Sequence, residues 1–192
     1  EVRLNCSFEV RDGALCPIIG KPSNLIGIPF DRPVVGYGGK TINTLRLWAA
    51  AAQDYFDFQE FSSGDFVGAL TETLGAESLT RVLYPDDHTT MGQGLRFIQE
   101  YFLVACSLAD LVRRFRAANA DWHALPNKVA IQLNDTHPTM AVPELMRILL
   151  DEVHLGWDDA WGITVKTLAY TNHTLLPEAL EKWPVEWFKI LL

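Results

Sequence analysis

The sequence has few cysteines, and they show none of the spacings that bind zinc or build a disulfide framework. Cys6, Cys16 and Cys106 are odd in number and form no CxxC pair, whereas disulfide-rich domains and zinc ribbons need paired cysteines. We therefore expect a reducing compartment. The sequence also starts without an initiating methionine or a basic-then-apolar leader. No secretion signal is visible, and this start suggests an excerpt.

Long apolar runs and an excess of positive charge are missing as well. The longest apolar stretch, 101–112, is interrupted by Ser107 and Asp110 and is shorter than the roughly 20 residues that a membrane-spanning helix requires. The chain has 16 basic and 24 acidic residues, which gives a net charge of −8 and disfavours a groove for DNA or RNA. We expect a soluble chain that binds neither a membrane nor a nucleic acid.

Apolar residues, by contrast, are plentiful. Hydrophobic residues make up 48% of the sequence and charged residues 21%, which supplies a packed core and excludes general disorder. The length of 192 residues is that of one domain or of part of a larger one. No internal repeat divides the chain.

The first region of the chain, 1–50, is rich in turn-forming residues. Proline and glycine interrupt short apolar pieces up to the glycine-rich run 36–39, which predicts short strands and loops. The stretch 41–51 is predicted to be a further strand because it is rich in Thr, Ile and Leu, with a helix as the alternative because the stretch ends in alanines. The run 36–39 does not fit GxGxxG or GxxxxGK[ST], so it predicts a turn and not a phosphate-binding loop.

The region 51–128 is predicted to be helical. Apolar residues at three- and four-residue steps predict helical segments over 65–74 and 77–83, separated by Gly75. A polar loop follows at 84–94. After it comes a long helix with a wide apolar face and three arginines in its last turns, where cations suit the helix dipole.

The last third of the chain has the order strand, helix, strand. The apolar run 129–133 predicts a buried strand, and apolar residues repeating through 142–149 predict a helix that Asp135 or Thr136 could cap. The stretch 164–170 predicts a second strand. This order implies a right-handed crossover between parallel strands, so the predicted fold class is α/β.

Polar clusters follow both predicted strands, at 134–137 and 171–174. Ligands bind beyond the carboxyl ends of strands in open α/β sheets, so parallel pairing would bring both clusters to one rim. Their Asn, Asp, Thr and His side chains can bind vicinal hydroxyls without needing a charged ligand, which indicates a sugar. The alternative is that Asp135 and Thr136 only cap a helix and that His173 is a satisfied loop residue.

Two other chemistries are less favoured. A zinc site is conceivable, but its candidate ligands match no recognised spacing such as HExxH. Those candidates are His88, Asp135, His137 and His173. The neighbours Asp86 and Asp87 could be a glycoside-hydrolase pair, although adjacent carboxylates seldom flank one bond from opposite faces.

Several long motifs, in consistent order, resemble the glycogen (α-glucan) phosphorylases and cover practically the whole chain. They are NTLRLW at 43–48, RVLYP at 81–85, LR at 95–96, QEYF at 99–102, NDTHP at 134–138, PELMR at 143–147, AYTNHT at 169–174 and PEALEKWP at 177–184.

The resemblance implies part of a Rossmann-like parallel-sheet domain in an enzyme of the two-domain glycosyltransferase type. Such enzymes are cytoplasmic, typically homodimeric, and use pyridoxal phosphate to cleave a terminal α-1,4-linked glucose with inorganic phosphate, releasing glucose 1-phosphate. The chain 1–192 would be part of the amino-terminal domain, with a gate loop at 84–94 and sugar-site loops in a βαβ unit at 129–192. The cofactor lysine and the phosphate site belong to segments outside it, so the chain alone should be inactive without the remainder of the phosphorylase.

The resemblance also assigns site residues. His173 matches the family's catalytic histidine, which contacts the glucose hydroxymethyl group and whose backbone carbonyl favours an oxocarbenium-like centre. The substrate-binding positions are Asp87 and His88 in the gate loop, Arg96, Asp135, His137 and Thr174. Arg113 and Arg114 match arginines that bind an effector phosphate in animal enzymes. The rival hypothesis is a noncatalytic glucan-binding or assembly module.

Overall fold

The computed structural model describes residues 2–53, 56–176 and 180–192, and the chain divides into two compact units. The first comprises Glu1–Gln99 and Leu191, and the second Glu100–Ile190 and Leu192. Both contain helices and strands, so the predicted mixture of α and β structure is confirmed. Within the described residues, no helix combines the length and the apolar character needed to cross a bilayer.

A three-stranded antiparallel sheet organises the first unit. It consists of β1 (Val2–Arg11), β2 (Ala14–Val35) and β3 (Ile42–Ala52), with β2 in the middle. The strand predicted at 41–51 is therefore confirmed as β3. The short strands and loops expected before it are wrong in length, because β2 runs for 22 residues.

The length of β2 is surprising because the strand contains four prolines, which cannot donate a ladder hydrogen bond. The pairing explains why they are tolerated. β1 pairs with the part 14–25 and β3 with the part 25–35, so in the described part of the chain each half of β2 has one edge without a neighbouring strand. Proline is compatible with such an edge.

The helix α2 (Thr71–Arg81) corrects the two segments predicted at 65–74 and 77–83. It is one helix that passes through Gly75, preceded by a 3₁₀ turn at Gly68–Leu70. A Cβ at Gly75 would lie 2.5 Å from the ring of Phe8. Glycine is therefore needed there for the close approach of helix and sheet, and it does not break the helix.

A short helix, α1 (Phe58–Ser63), was not predicted. Its ends carry good local signals: the Asp57 carboxylate accepts hydrogen bonds from the N–H groups of Gln59 and Glu60, and Gly64 closes the helix at φ 97°. An aspartate N-cap and a left-handed glycine C-cap are standard helix boundaries.

The long helix is confirmed as α3 (Thr90–Ala118). It starts inside the predicted loop 84–94, where the Thr89 hydroxyl oxygen accepts a hydrogen bond from the Gly92 N–H at 3.1 Å. Its apolar face is buried, with Phe97, Ile98 and Phe102 fully shielded from solvent, as the periodicity predicts.

The second unit contains a two-stranded parallel sheet of β4 (Ile131–Asn134) and β5 (Leu168–Thr171). The chain between them forms α5 (Ala141–Arg147), a π-helical turn (Ile148–Glu152) and α6 (Trp157–Thr167). The predicted strand–helix–strand order and the parallel pairing are therefore confirmed. Among the described residues the parallel sheet has these two strands alone, so a Rossmann-like sheet is not established by them. The short helices α4 (Leu125–Lys128) and α7 (Val185–Leu191) complete the unit.

Two boundaries differ from the prediction. α6 continues to Thr167, so β5 is shorter than the strand expected at 164–170. The threonines in the last turns are buried and satisfied: Thr167 donates to the Ile163 carbonyl at 2.8 Å, and Thr164 donates to the Met146 sulfur at 3.3 Å. Burial with internal hydrogen bonds outweighs their β preference.

The predicted N-cap of α5, the helix that follows β4, is wrong. α5 begins at Ala141 after Met140, with no side-chain cap, so Asp135 and Thr136 do not cap it.

A buried polar cluster joins α3 to α5 in the second unit. The Tyr101 hydroxyl donates to the Glu144 carboxylate at 3.0 Å, and Arg147 donates to both oxygens of Glu144 at 2.8 and 2.9 Å. Burial, reinforced by the Glu144 charge, raises the pKa of Tyr101, while hydrogen bonding to Glu144 raises the pKa of Arg147. A buried carboxylate is stable only when it is paired in this way.

Candidate functional site

The ends of β4 and β5 lie side by side. Asn134 is opposite Thr171 in the parallel register, and the Asp135 N–H donates to the Thr171 carbonyl at 2.8 Å. This bond extends the pairing one residue beyond β4. The polar loops that follow the two strands therefore leave the sheet at the same edge, as parallel strands require.

The loop after β4 turns sharply at Asp135. This residue has φ 65°, a left-handed conformation that aspartate tolerates better than most side chains because it can hydrogen-bond locally. Its Oδ1 atom accepts a hydrogen bond from the Thr136 N–H at 2.9 Å, and the residue is only 8% exposed. The Asp135 carboxylate thus stabilises the turn, and it faces the loop that follows β4.

A carboxylate from the segment after β5 contacts the loop after β4. The Thr136 hydroxyl donates to Glu181 Oε2 at 3.3 Å, and His137 Nε2 lies 4.0 Å from Glu181 Oε1. The Glu181 side chain is 10% exposed, whereas that of His137 is 37% exposed. His137 is therefore accessible on one side and faces a largely buried negative charge on the other.

The loop after β5 presents His173 to solvent. Thr174 is half-buried, and its hydroxyl oxygen accepts a hydrogen bond from the Leu176 N–H at 3.1 Å. At the start of the loop, Gln132 on β4 donates to the Thr171 hydroxyl at 2.6 Å. A hydrogen bond therefore holds the start of this loop, while the His173 imidazole stays accessible.

The gate-loop candidates belong to the first unit. Asp87 and His88 are exposed, and their loop folds back on α3, where Gln93 donates to the Asp87 carbonyl at 3.1 Å. Arg96 is buried, with its guanidinium carbon 4.3 Å from the centre of the Tyr84 ring, a cation–π geometry. This stacking fixes the arginine against the first residue of the loop.

The predicted site residues thus fall into two groups. The structure brings Asp135, His137, His173 and Thr174 to one edge of the parallel sheet in the second unit. Asp87, His88 and Arg96 belong to the first unit. The sugar-binding role of each group stays a prediction.

The zinc alternative gains no support from the described residues. Within them, the group of potential ligands whose atoms lie within 4.8 Å of one another is Asp86, Asp87 and His88, all exposed. The predicted set with Asp135, His137 and His173 does not form such a cluster. Exposed acidic neighbours of this kind are an ordinary solvated loop.

Arg113 and Arg114, the candidates for an effector phosphate, share one carboxylate. Arg113 Nη2 lies 2.8 Å from Asp110 Oδ1, and Arg114 Nε lies 2.9 Å from Asp110 Oδ2. Both arginines are exposed, but the Asp110 side chain is only 10% exposed. Their role as a phosphate site stays a prediction, and a phosphate would have to compete with Asp110.

Glu181 is the residue that the sequence did not single out. It lies in the PEALEKWP motif, but nothing in its spacing from Thr136 or His137 shows that the chain folds back on itself there. Its contact spans 45 positions of the chain, and only the tertiary structure provides it. Pro177, Glu178 and Ala179 of the same motif lie outside the described residues.

Comparison with known proteins gives a consistent result. The sequence model of the carbohydrate phosphorylase family matches residues 5–192. The chain is 50% identical to the brain form of glycogen phosphorylase from Homo sapiens, 49% to the muscle form from Rattus norvegicus and 51% to the liver form from Bos taurus. Each alignment is 176 residues long, and it covers 88% of this chain but 21% of the relative. The chain therefore spans about a fifth of the length of the curated relatives it matches.

Proposed function

Because this chain belongs to the carbohydrate phosphorylase family, we propose that it supplies sugar-binding loops to an α-1,4-glucan phosphorylase. In that enzyme, inorganic phosphate cleaves a terminal α-1,4-linked glucose and glucose 1-phosphate is released. The observation that carries the proposal is the hydrogen bond from Asp135 N–H to the Thr171 carbonyl, since it joins the two loop bases at one edge. The complete enzyme, and not this fifth of it, performs the reaction.

The chemistry of the loops suits a hexose. A ring hydroxyl both donates and accepts a hydrogen bond, and the loops offer carboxylate acceptors, hydroxyls and imidazoles that can serve either purpose. His173 would bind the hydroxymethyl group of the terminal glucose, and its backbone carbonyl would stabilise positive charge developing at the anomeric carbon. Dipoles held in place before the reaction stabilise such charge without having to reorganise.

The remaining site residues would contribute sugar contacts in each unit separately. In the second unit these are Asp135, His137 and Thr174, and in the first unit they are Asp87, His88 and Arg96. Asp87 and His88 lie in an exposed loop, which suits a gate that moves when substrate enters. Arg96, held on Tyr84, would act from a fixed position.

Pyridoxal phosphate is the cofactor that the family implies. When bound in the complete enzyme, it would supply a phosphate group for acid–base chemistry. The cofactor lysine would lie outside this chain, and the exposure of each of its six lysines supports this, because a cofactor-bearing lysine is enclosed. We therefore assign no residue of this chain to the cofactor.

The complete protein follows from the same premise. We propose that the remainder of the phosphorylase chain adds strands to the parallel sheet of β4 and β5 and makes it Rossmann-like. The complete enzyme would be a cytoplasmic homodimer. The two edges of a two-stranded sheet are open to such pairing.

A noncatalytic glucan-binding or assembly module is the second candidate, because both proposed sugar-site loops lie within this chain. Sequencing the gene on both sides of residues 1 and 192 separates the two. An open reading frame that continues into a segment with the cofactor lysine supports the enzyme, and a stop codon directly after Leu192 supports the module.

The biochemical test uses the product of the whole gene. We expect phosphate-dependent release of glucose 1-phosphate from maltooligosaccharide. Binding of maltooligosaccharide without that release would contradict phosphorylase activity and favour the module. The control omits phosphate, which should abolish release without abolishing binding.

A further inference from the structure

We propose that Glu181 is a positioning residue for the sugar site, in which one carboxylate holds His137 and Thr136 and fastens the segment after β5 to the loop after β4. This inference rests on the proposed function and deepens it, because it names a residue that determines how the loops bind the glucan. Glu181 acts through its neighbours and need not touch the substrate.

The side chains of the adjacent residues Thr136 and His137 each lie near a different oxygen of the Glu181 carboxylate. The Thr136 hydroxyl donates to Oε2 at 3.3 Å, and His137 Nε2 lies 4.0 Å from Oε1. The Thr136 backbone is held separately, since its N–H donates to Asp135 Oδ1 and its carbonyl accepts from the Thr139 hydroxyl at 2.6 Å. The loop after β4 is therefore held both by hydrogen bonds within the loop and by its contacts with the Glu181 carboxylate.

Burial makes the carboxylate effective. The Glu181 side chain is 10% exposed, and a carboxylate removed from water is stable only when neighbouring groups satisfy it. A hydrogen bond to an ionised acceptor is stronger than one between neutral groups, and reduced solvent screening strengthens the attraction to the histidine. Truncation of this side chain should therefore loosen both loops together.

The carboxylate contacts its two neighbours differently. The separation of 4.0 Å between His137 Nε2 and Glu181 Oε1 is too long for a direct hydrogen bond, so this contact is electrostatic. The contact with the Thr136 hydroxyl at 3.3 Å is a hydrogen bond.

The test compares variants of the full-length enzyme by phosphorolysis kinetics. We expect Glu181→Ala to raise KM for maltooligosaccharide about tenfold, the scale of a lost hydrogen bond to a charged group, with kcat nearly unchanged. A residue that positions binding groups affects ground state and transition state alike, so the change appears in KM. Glu181→Gln keeps an acceptor for Thr136 but removes the charge facing His137, and should give a smaller increase.

A double-mutant cycle shows whether Glu181 acts through Thr136. Thr136→Val should raise KM by about threefold, and adding it to Glu181→Ala should change KM little further, because residues in direct contact are not additive. Fully additive effects, or a KM for Glu181→Ala within twofold of the parent, would overturn the proposal. If the alanine variant does not fold, Glu181→Gln alone provides the test, and an unchanged KM for this variant overturns the proposal.

Glu186→Gln is the matched control. Glu186 is close to Glu181 in the chain, its side chain is 73% exposed, and it pairs with Lys189. The KM of the Glu186→Gln variant should therefore equal that of the parent. A parent enzyme that releases no glucose 1-phosphate would defeat the proposed function. An active parent with unchanged Glu181 variants would defeat only this inference.

Discussion

At the scale of single residues, His173 combines two properties that make its role testable. It is exposed, and it follows directly on the paired ends of β4 and β5, where the backbone is held by hydrogen bonds between the strands. Removing an exposed imidazole leaves no buried cavity and no unpaired core group. A loss of activity would therefore report on the site and not on folding.

We predict that His173→Ala in the complete enzyme raises the activation free energy by about 3 kcal/mol and so lowers kcat/KM roughly a hundredfold. This is the scale of a removed electrostatic contribution to the transition state. The midpoint of thermal unfolding should stay within about 2 °C of the parent. Steady-state phosphorolysis and calorimetry measure the two quantities. Unchanged kinetics would remove His173 from the site.

Two buried cysteines link stability to alkaline pH. Burial raises the pKa of Cys6 and of Cys106 from 9.0 to about 12. Below pH 9 both the folded and the unfolded chain keep these protons, so the contribution to stability is constant. Between pH 9 and 12 only the unfolded chain releases them, and the free energy of unfolding falls as the pH rises.

Above pH 9 the free energy of unfolding should fall less steeply with pH in Cys6→Ala than in the parent. We predict a difference in slope of up to about 1.4 kcal/mol per pH unit, the contribution of one titrating group. Urea denaturation at pH 7, 9 and 10.5 measures it. The cavity left by the missing sulfur costs stability equally at each pH, so only the slope reports the thiol. A slope equal to that of the parent would contradict the assignment.

At the scale of secondary structure, two helical glycines have opposite surroundings. In α2, a Cβ on Gly75 would lie 2.5 Å from the Phe8 ring of β1. In α6, a Cβ on Gly162 would meet no atom within 4 Å. The same substitution therefore gains helix propensity at both positions but meets a steric conflict at one of them.

We predict that Gly162→Ala stabilises the protein by roughly 0.5–1 kcal/mol, the propensity difference between the two residues. Gly75→Ala should destabilise it by about 1–3 kcal/mol, because overpacking outweighs that gain. Chemical denaturation of the two variants, each serving as the control for the other, decides the matter. Equal effects would show that α2 does not approach β1 as closely as described.

At the scale of the whole molecule, apolar residues remain exposed at the far end of the β2–β3 hairpin. Val35 and Ile42 face each other in the register, and each is 62% exposed. Contiguous exposed apolar side chains are unusual on a monomer and mark surfaces that bury against something. In the proposed complete phosphorylase, the rest of the chain is the expected cover.

We predict that the 192-residue chain produced alone self-associates with increasing concentration and shows no phosphorolysis. Sedimentation velocity at several concentrations measures the association. Replacing both hairpin residues by lysine, in the variant Val35→Lys/Ile42→Lys, should reduce it because the apolar contact is lost and like charges repel. A parent chain that stays monomeric at every concentration would contradict this prediction.

Periodicity and local composition determined a large part of the molecule. The apolar face of α3, the strand β3 and the apolar run of β4 were predictable because each depends on residues close together in the chain. The positions of the polar clusters after β4 and β5 were predictable for the same reason. So was the family, since ordered motifs identify it without coordinates.

Contacts between distant residues decided the rest. β2 continues through four prolines because its two halves pair with different strands, and α2 continues through Gly75 because Phe8 of β1 needs the space. Glu181 enters the candidate site because a segment 45 positions downstream folds back onto Thr136. Local patterns in a sequence record backbone preference and burial, but the free energy of a long-range contact belongs to two segments at once, and only the folded chain brings them together.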